Sequence, residues 1–123
     1  MFKTVLLALL LPLSSSVVAE VLDGLWRLED KPVWITIASG AGLVSYSKDD
    51  PAAQGKALLR KLSATNVDNR WQGQIYVKQL KAYRDADIIL TSLDSMEITV
   101  KVGFMRRTVN WQRSAEIPKL IEE

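Results

Sequence analysis

Residues 96–113 read Met-Glu-Ile-Thr-Val-Lys-Val-Gly-Phe-Met-Arg-Arg-Thr-Val-Asn-Trp-Gln-Arg. Met96, Ile98, Val100 and Val102 alternate with Glu97, Thr99 and Lys101. Successive side chains of a strand point to opposite sides, so this pattern predicts a strand with one buried face. Gly103 interrupts the run and can adopt the positive φ that a tight hairpin turn demands. Beyond it Met105, Arg107, Val109 and Trp111 share one face. Arg107 is therefore an arginine in an apolar row. Two readings follow: a side chain near a sheet end whose stem covers apolar surface, or a cation inside a cavity facing an anionic ligand or a buried carboxylate. The cost of burying an unpaired charge favours the first.

Working outward, the rest of the chain carries the same signature. Gly24-Leu25-Trp26-Arg27-Leu28 begins it, with Trp26 and Leu28 on one face. Val33 to Ala38 and Leu43 to Ser47 form a hairpin around Ser39-Gly40-Ala41-Gly42. Asp49-Asp50-Pro51 suits the start of a short helical turn, with proline at its first position. Ala57 to Leu62 has helical propensity, but its neighbours on both sides are strands, so it reads as a strand. Trp71 to Tyr76 alternates, and a further strand runs to Ser92 from near Tyr83. The expectation is an all-β fold of about seven or eight strands with frequent turns, a sandwich or barrel. A small antiparallel up-and-down β-barrel also removes open sheet edges.

The first residues are set apart. Lys3 precedes a short apolar run from Val5 to Leu13, then Ser14-Ser15-Ser16-Val17-Val18-Ala19. A basic start, an apolar core and a small-residue cleavage region make a secretory signal peptide, with cleavage expected after Ala19. The run is too short to span a bilayer, and the mature part has no transmembrane segment. The expected organisation is a signal peptide at 1–19, a barrel domain at 20–113 and a charged tail at 114–123, in a periplasmic or secreted protein.

Composition excludes several functions. Removing the first 19 of 123 residues leaves 104, and it takes away one of 16 basic residues and none of 14 acidic ones. Near-neutral charge argues against nucleic acid, which needs clustered excess Lys and Arg. Cysteine and histidine are both absent. No disulfide supports the fold, and zinc, copper and iron lose their usual ligands, so no cofactor and no metal are expected. Serine has no histidine to activate it and no nucleophile elbow. Asp85 and Asp87 share a strand face, but nothing places a carboxylate pair across a cleft. The expectation is a protein that is not an enzyme, with no catalytic residue.

The aromatic residues remain. Trp26 and Trp111 lie among apolar neighbours and read as core. Trp34 falls opposite Val33, Ile35 and Ile37, so it is either turned inward in a barrel that is locally apolar outside or exposed to a partner. With Arg107, Trp71 and Tyr76, it is a candidate for binding a small, partly apolar ligand. The alternative is a structural or protein-interaction module with a filled core and an adhesive outer face around Trp34 and Tyr46.

Two features carry a resemblance. Gly24-Leu25-Trp26 looks like the Gly-x-Trp opening of lipocalin-like and avidin-like barrels. That resemblance implies a basic residue from the last strand packed over the tryptophan, with Arg113 the candidate and Arg107 second. The wider series runs through the Asp-Asp-Pro loop with Gly55-Lys56, Trp71 to Tyr76, Tyr83-Arg84-Asp85, Met96 to Val102 and Arg106 to Arg113. Together these resemble the bacterial exported family catalogued as domain of unknown function 2147, over nearly the whole mature chain. The resemblance implies a lipocalin-like barrel in the bacterial envelope and no particular activity. Many members carry a cysteine pair near the Asp-Asp-Pro loop. This chain has none, so no redox or metal role carries over.

Overall fold

In the computed structural model, residues 21–117 are described. The expected signal peptide, its cleavage site and the last six residues of the tail lie outside them. Eight strands follow one another: β1 (Gly24–Leu28), β2 (Val33–Ala38), β3 (Ala41–Ser47), β4 (Ala57–Ala64), β5 (Arg70–Val77), β6 (Ala82–Ser92), β7 (Ser95–Val102) and β8 (Met105–Arg113). Each pairs antiparallel with the next, and β8 pairs with β1, closing an up-and-down barrel. The Asp-Asp-Pro loop forms one 3₁₀ turn, Pro51–Ala53, between β3 and β4. Ala57–Ala64 is a strand, because its pairing with β5 satisfies its backbone within the sheet.

Alternation assigns the faces. Met96, Ile98 and Val100 of β7 are buried, and they oppose Trp111, Val109 and Arg107 of β8. Trp26, Ile35, Ile37, Leu59 and Ile88 fill the space from the other strands, each at most 1% exposed. Four irregularities bend the sheet. Trp34 pairs with Tyr46 but Ile35 with Val44, leaving Ser45 as an extra residue. A second extra residue lies in β4 between Arg60 and Ser63, where Lys61 takes φ 57. A third shift occurs between Gly42 and Leu43 in the short β3–β4 pairing, and a fourth in β6 between Leu90 and Ser92, where Thr91 is the extra residue. Bulges of this kind increase local twist and help a sheet curl into a closed barrel.

The strands are unequal. β1 has five residues and β8 nine. The β1–β8 ladder covers only Trp26–Leu28 against Trp111–Arg113. Two further backbone bonds extend it, from Glu29 N–H to the Asn110 carbonyl at the rim end and from Ser114 N–H to the Leu25 carbonyl at the other. The outer part of the β7–β8 hairpin therefore rises past its neighbour on the β1 side. The two ends of the barrel also differ. One carries the β2–β3, β4–β5 and β6–β7 turns with the N-terminal segment. The other carries the β5–β6 and β7–β8 turns, the β1–β2 link and the loop holding the 3₁₀ turn.

Candidate functional site

The N-terminal end is closed by a tight cluster. Trp26 is fully buried, and its Nε1–H donates to the Leu22 carbonyl at 2.9 Å. Leu22, which precedes the first strand, is itself buried and plugs this end. Arg113 lies over Trp26 with Cζ 4.3 Å from the ring centroid. Its Nη1 donates to the Asp23 carbonyl and its Nη2 to the Val21 carbonyl, both at 3.0 Å, while Nε donates to the Leu93 carbonyl at 2.9 Å. One planar guanidinium thus ties the N-terminal segment and the β6–β7 turn to the barrel floor. A lysine ammonium cannot reproduce that fork. These groups hold the fold.

The four residues read as candidates for ligand binding do not converge. Trp71 is buried on the inward face. Its Nε1 has no hydrogen-bond partner among the described residues. Tyr76 stands on the outer face, edge-on to Tyr83 with ring centroids 5.3 Å apart. The Arg60 guanidinium lies 3.6 Å from the Tyr83 ring centroid and donates from Nε to Gln74, which bonds Asp85 in turn. Arg107 shares the inward row of β8 but lies at the open rim, and it is exposed. Its alignment with Val109 and Trp111 is real. β1 has already ended at Leu28 opposite Trp111, so no wall encloses Arg107 on that side.

Trp34 corrects both readings of its alternation. It is on the outer face, yet only 7% exposed. Arg27 stacks on it at 5.1 Å, Tyr46 packs at 5.7 Å, and Nε1 donates to Ser114 Oγ at 3.3 Å. Side chains from β1, β3 and the segment after β8 cover it. The adhesive outer face expected around Trp34 and Tyr46 is thus largely used within the chain.

Two surface features had no place in the sequence reading. A shallow groove of about 320 Å³ lies beside the 3₁₀ turn, lined by Thr36, Ala38, Leu43, Ser45 and Gln54. At the open rim, Phe104 is fully exposed and Met105 is 68% exposed. Leu80, in the β5–β6 turn, is 39% exposed. The available signal was an apolar pair directly after a turn glycine: Phe104 and Met105 lie too close to the tip to be covered by a neighbouring strand.

Comparison with known proteins adds no relative: no family model, no curated protein and no solved structure matches the chain.

Proposed function

We propose that this protein is a non-enzymatic barrel of the bacterial envelope that works through its outer surface, with an interior devoted to packing. This takes up the structural or interaction module rather than the ligand carrier. The filled interior carries the reading. Nine large side chains, among them Trp26, Ile35, Met96 and Trp111, are less than 2% exposed. No chamber able to hold a water borders these nine, because it would leave accessible surface on them. Small barrels of eight strands are just wide enough for side chains to fill. The envelope location rests on the export pattern of residues 1–19 and on the resemblance to the exported lipocalin-like family.

The second reading, binding of a small and partly apolar molecule, is supported by the groove beside Leu43 and by the unpaired Nε1 of Trp71. Native mass spectrometry of protein purified from its own envelope separates the two. A bare polypeptide is expected, with no uptake of a hydrophobic dye. Stoichiometric recovery of a bound small molecule would reverse the ranking.

A further inference from the structure

We propose that the two neighbouring hairpin tips at the open rim, residues 78–81 and 101–107, dock on an anionic phospholipid surface. The β7–β8 tip is built around a two-residue turn. Gly103 takes φ 66 at the first central position, the glycine place of a type II′ turn. That geometry sets Phe104 at the apex and Met105 just behind it, both in solvent. Lys101 pairs across the hairpin with Arg106, and Val100 with Arg107. All three cations are exposed, and none forms an ion pair with another described residue. No acidic residue occurs from 98 to 107.

The β5–β6 tip repeats this composition independently. It reads Lys78-Gln79-Leu80-Lys81 and is held by bonds from Leu80 N–H to the Val77 carbonyl and from Lys81 N–H to the Lys78 carbonyl. β6 lies next to β7, and Ala86 pairs with Val100. Carrying that register on four residues sets Ala82, at the base of this turn, level with Phe104. The two tips therefore end at similar height on adjacent hairpins. Arg84 is exposed on the inward row between them. The nearest acid along β6 is Asp85, which accepts from Gln74 on the outer wall. The remaining acids of this end, Glu29, Asp30, Asp49 and Asp50, belong to the β1–β2 link and the loop after β3.

An aromatic ring and a methionine projecting beyond a ring of cations match a surface with phosphates outside and hydrocarbon beneath. Lysine and arginine meet the headgroup charge, while the apolar apex enters the acyl boundary. An acidic protein would satisfy the cations but would need a preformed pocket for Phe104. A fluid interface needs none. The proposal rests on the outer-surface reading above, and the two fail separately: a ligand recovered from the interior would overturn that reading whatever the tips do.

The chain lacks cysteine, so a polarity-sensitive fluorophore can be placed at one site of the processed protein, expressed with its N-terminal export segment and recovered after cleavage. Gln79→Cys labels the proposed docking end. Val67→Cys, in the β4–β5 turn, labels the opposite end. With phosphatidylglycerol–phosphatidylcholine vesicles, a blue shift is expected at position 79 and none at position 67. It should be lost at high salt, on pure phosphatidylcholine vesicles, in the Arg106→Gln/Arg107→Gln variant and in the Phe104→Ser/Met105→Ser variant. These substitutions lie at exposed positions, and unchanged thermal melting establishes that each variant is folded. If one pair proves unfolded, the other decides. No shift at position 79, an equal shift at position 67, an equal response to uncharged vesicles, or a shift that survives substitution of the tip would each overturn the proposal.

Discussion

A β-carbon built on Gly24 would stand 2.8 Å from Nη1 of Arg113. Gly24 also takes φ 133, a backbone region that residues with side chains rarely adopt. The glycine and the arginine, 89 positions apart in the chain, are therefore one arrangement: the absent side chain is the space the guanidinium needs. Gly24→Ala should destabilise the barrel by about 2 to 4 kcal/mol through backbone strain and displacement of Arg113. In urea unfolding with Arg113→Ala as the second arm of a double-mutant cycle, the two losses should fall short of additive. Strict additivity would show that the two residues act separately.

Arg113→Lys keeps the charge and removes the fork. Loss of the bonds to Val21, Asp23 and Leu93 should cost about 2 kcal/mol. Amide hydrogen exchange should rise at Leu22 and Asp23, which the guanidinium holds from outside the first strand. Protection unchanged at those amides would mean that Leu22 is held by its own burial.

Trp71 and Trp26 are both interior, but among the described residues only the indole N–H of Trp26 has a partner. Trp26→Phe forfeits the bond to Leu22 and trims the surface beneath Arg113, so a loss of about 2 kcal/mol or more is expected. Trp71→Phe removes an unpaired buried donor, which offsets the smaller ring, and should stay within about 1 kcal/mol of the parent protein. Equal losses at the two sites, measured by thermal unfolding, would imply a water or other acceptor at Trp71 Nε1.

β8 gives a contrast within one row. Trp111→Ala should cost about 3 to 5 kcal/mol as a large core truncation. Arg107→Ala, two inward positions nearer the rim, should fall within about 0.5 kcal/mol. A large loss at Arg107 would show that its stem packs into the mouth of the barrel rather than standing in solvent.

The strands, their antiparallel order and the barrel class were legible because alternation reports face directly. Met96–Val102 and Val33–Ala38 needed only their own residues to declare a buried side. What alternation cannot report is depth along the barrel. Arg107 sits in the inward row, but whether that place is core or rim depends on where β1 ends, on the far side of the chain closure. Trp34 shows the complementary gap: its outward direction was readable, while its cover comes from Arg27, Tyr46 and a serine 80 residues on. Leu22 carried no signal at all. It precedes the first strand, and its burial follows from the Arg113 clamp on either side of it.

The meeting of β1 with β8 also sets an order of events. Seven of the eight strand pairings join neighbours in sequence and can form locally, but the last joins Trp26 to Arg113 and spans almost the whole described chain. Closing so long a loop is slow and delivers its contacts last. A chain emerging from its N-terminus would hold an open, curling sheet with two bare edges until Arg113 arrives. At that moment both edges vanish, Leu22 is clamped and Trp26 is roofed. The final strand thus acts as a completeness check: a molecule cut short before residue 111 would retain most of its hairpins, yet it would remain a sheet prone to pairing with its own kind.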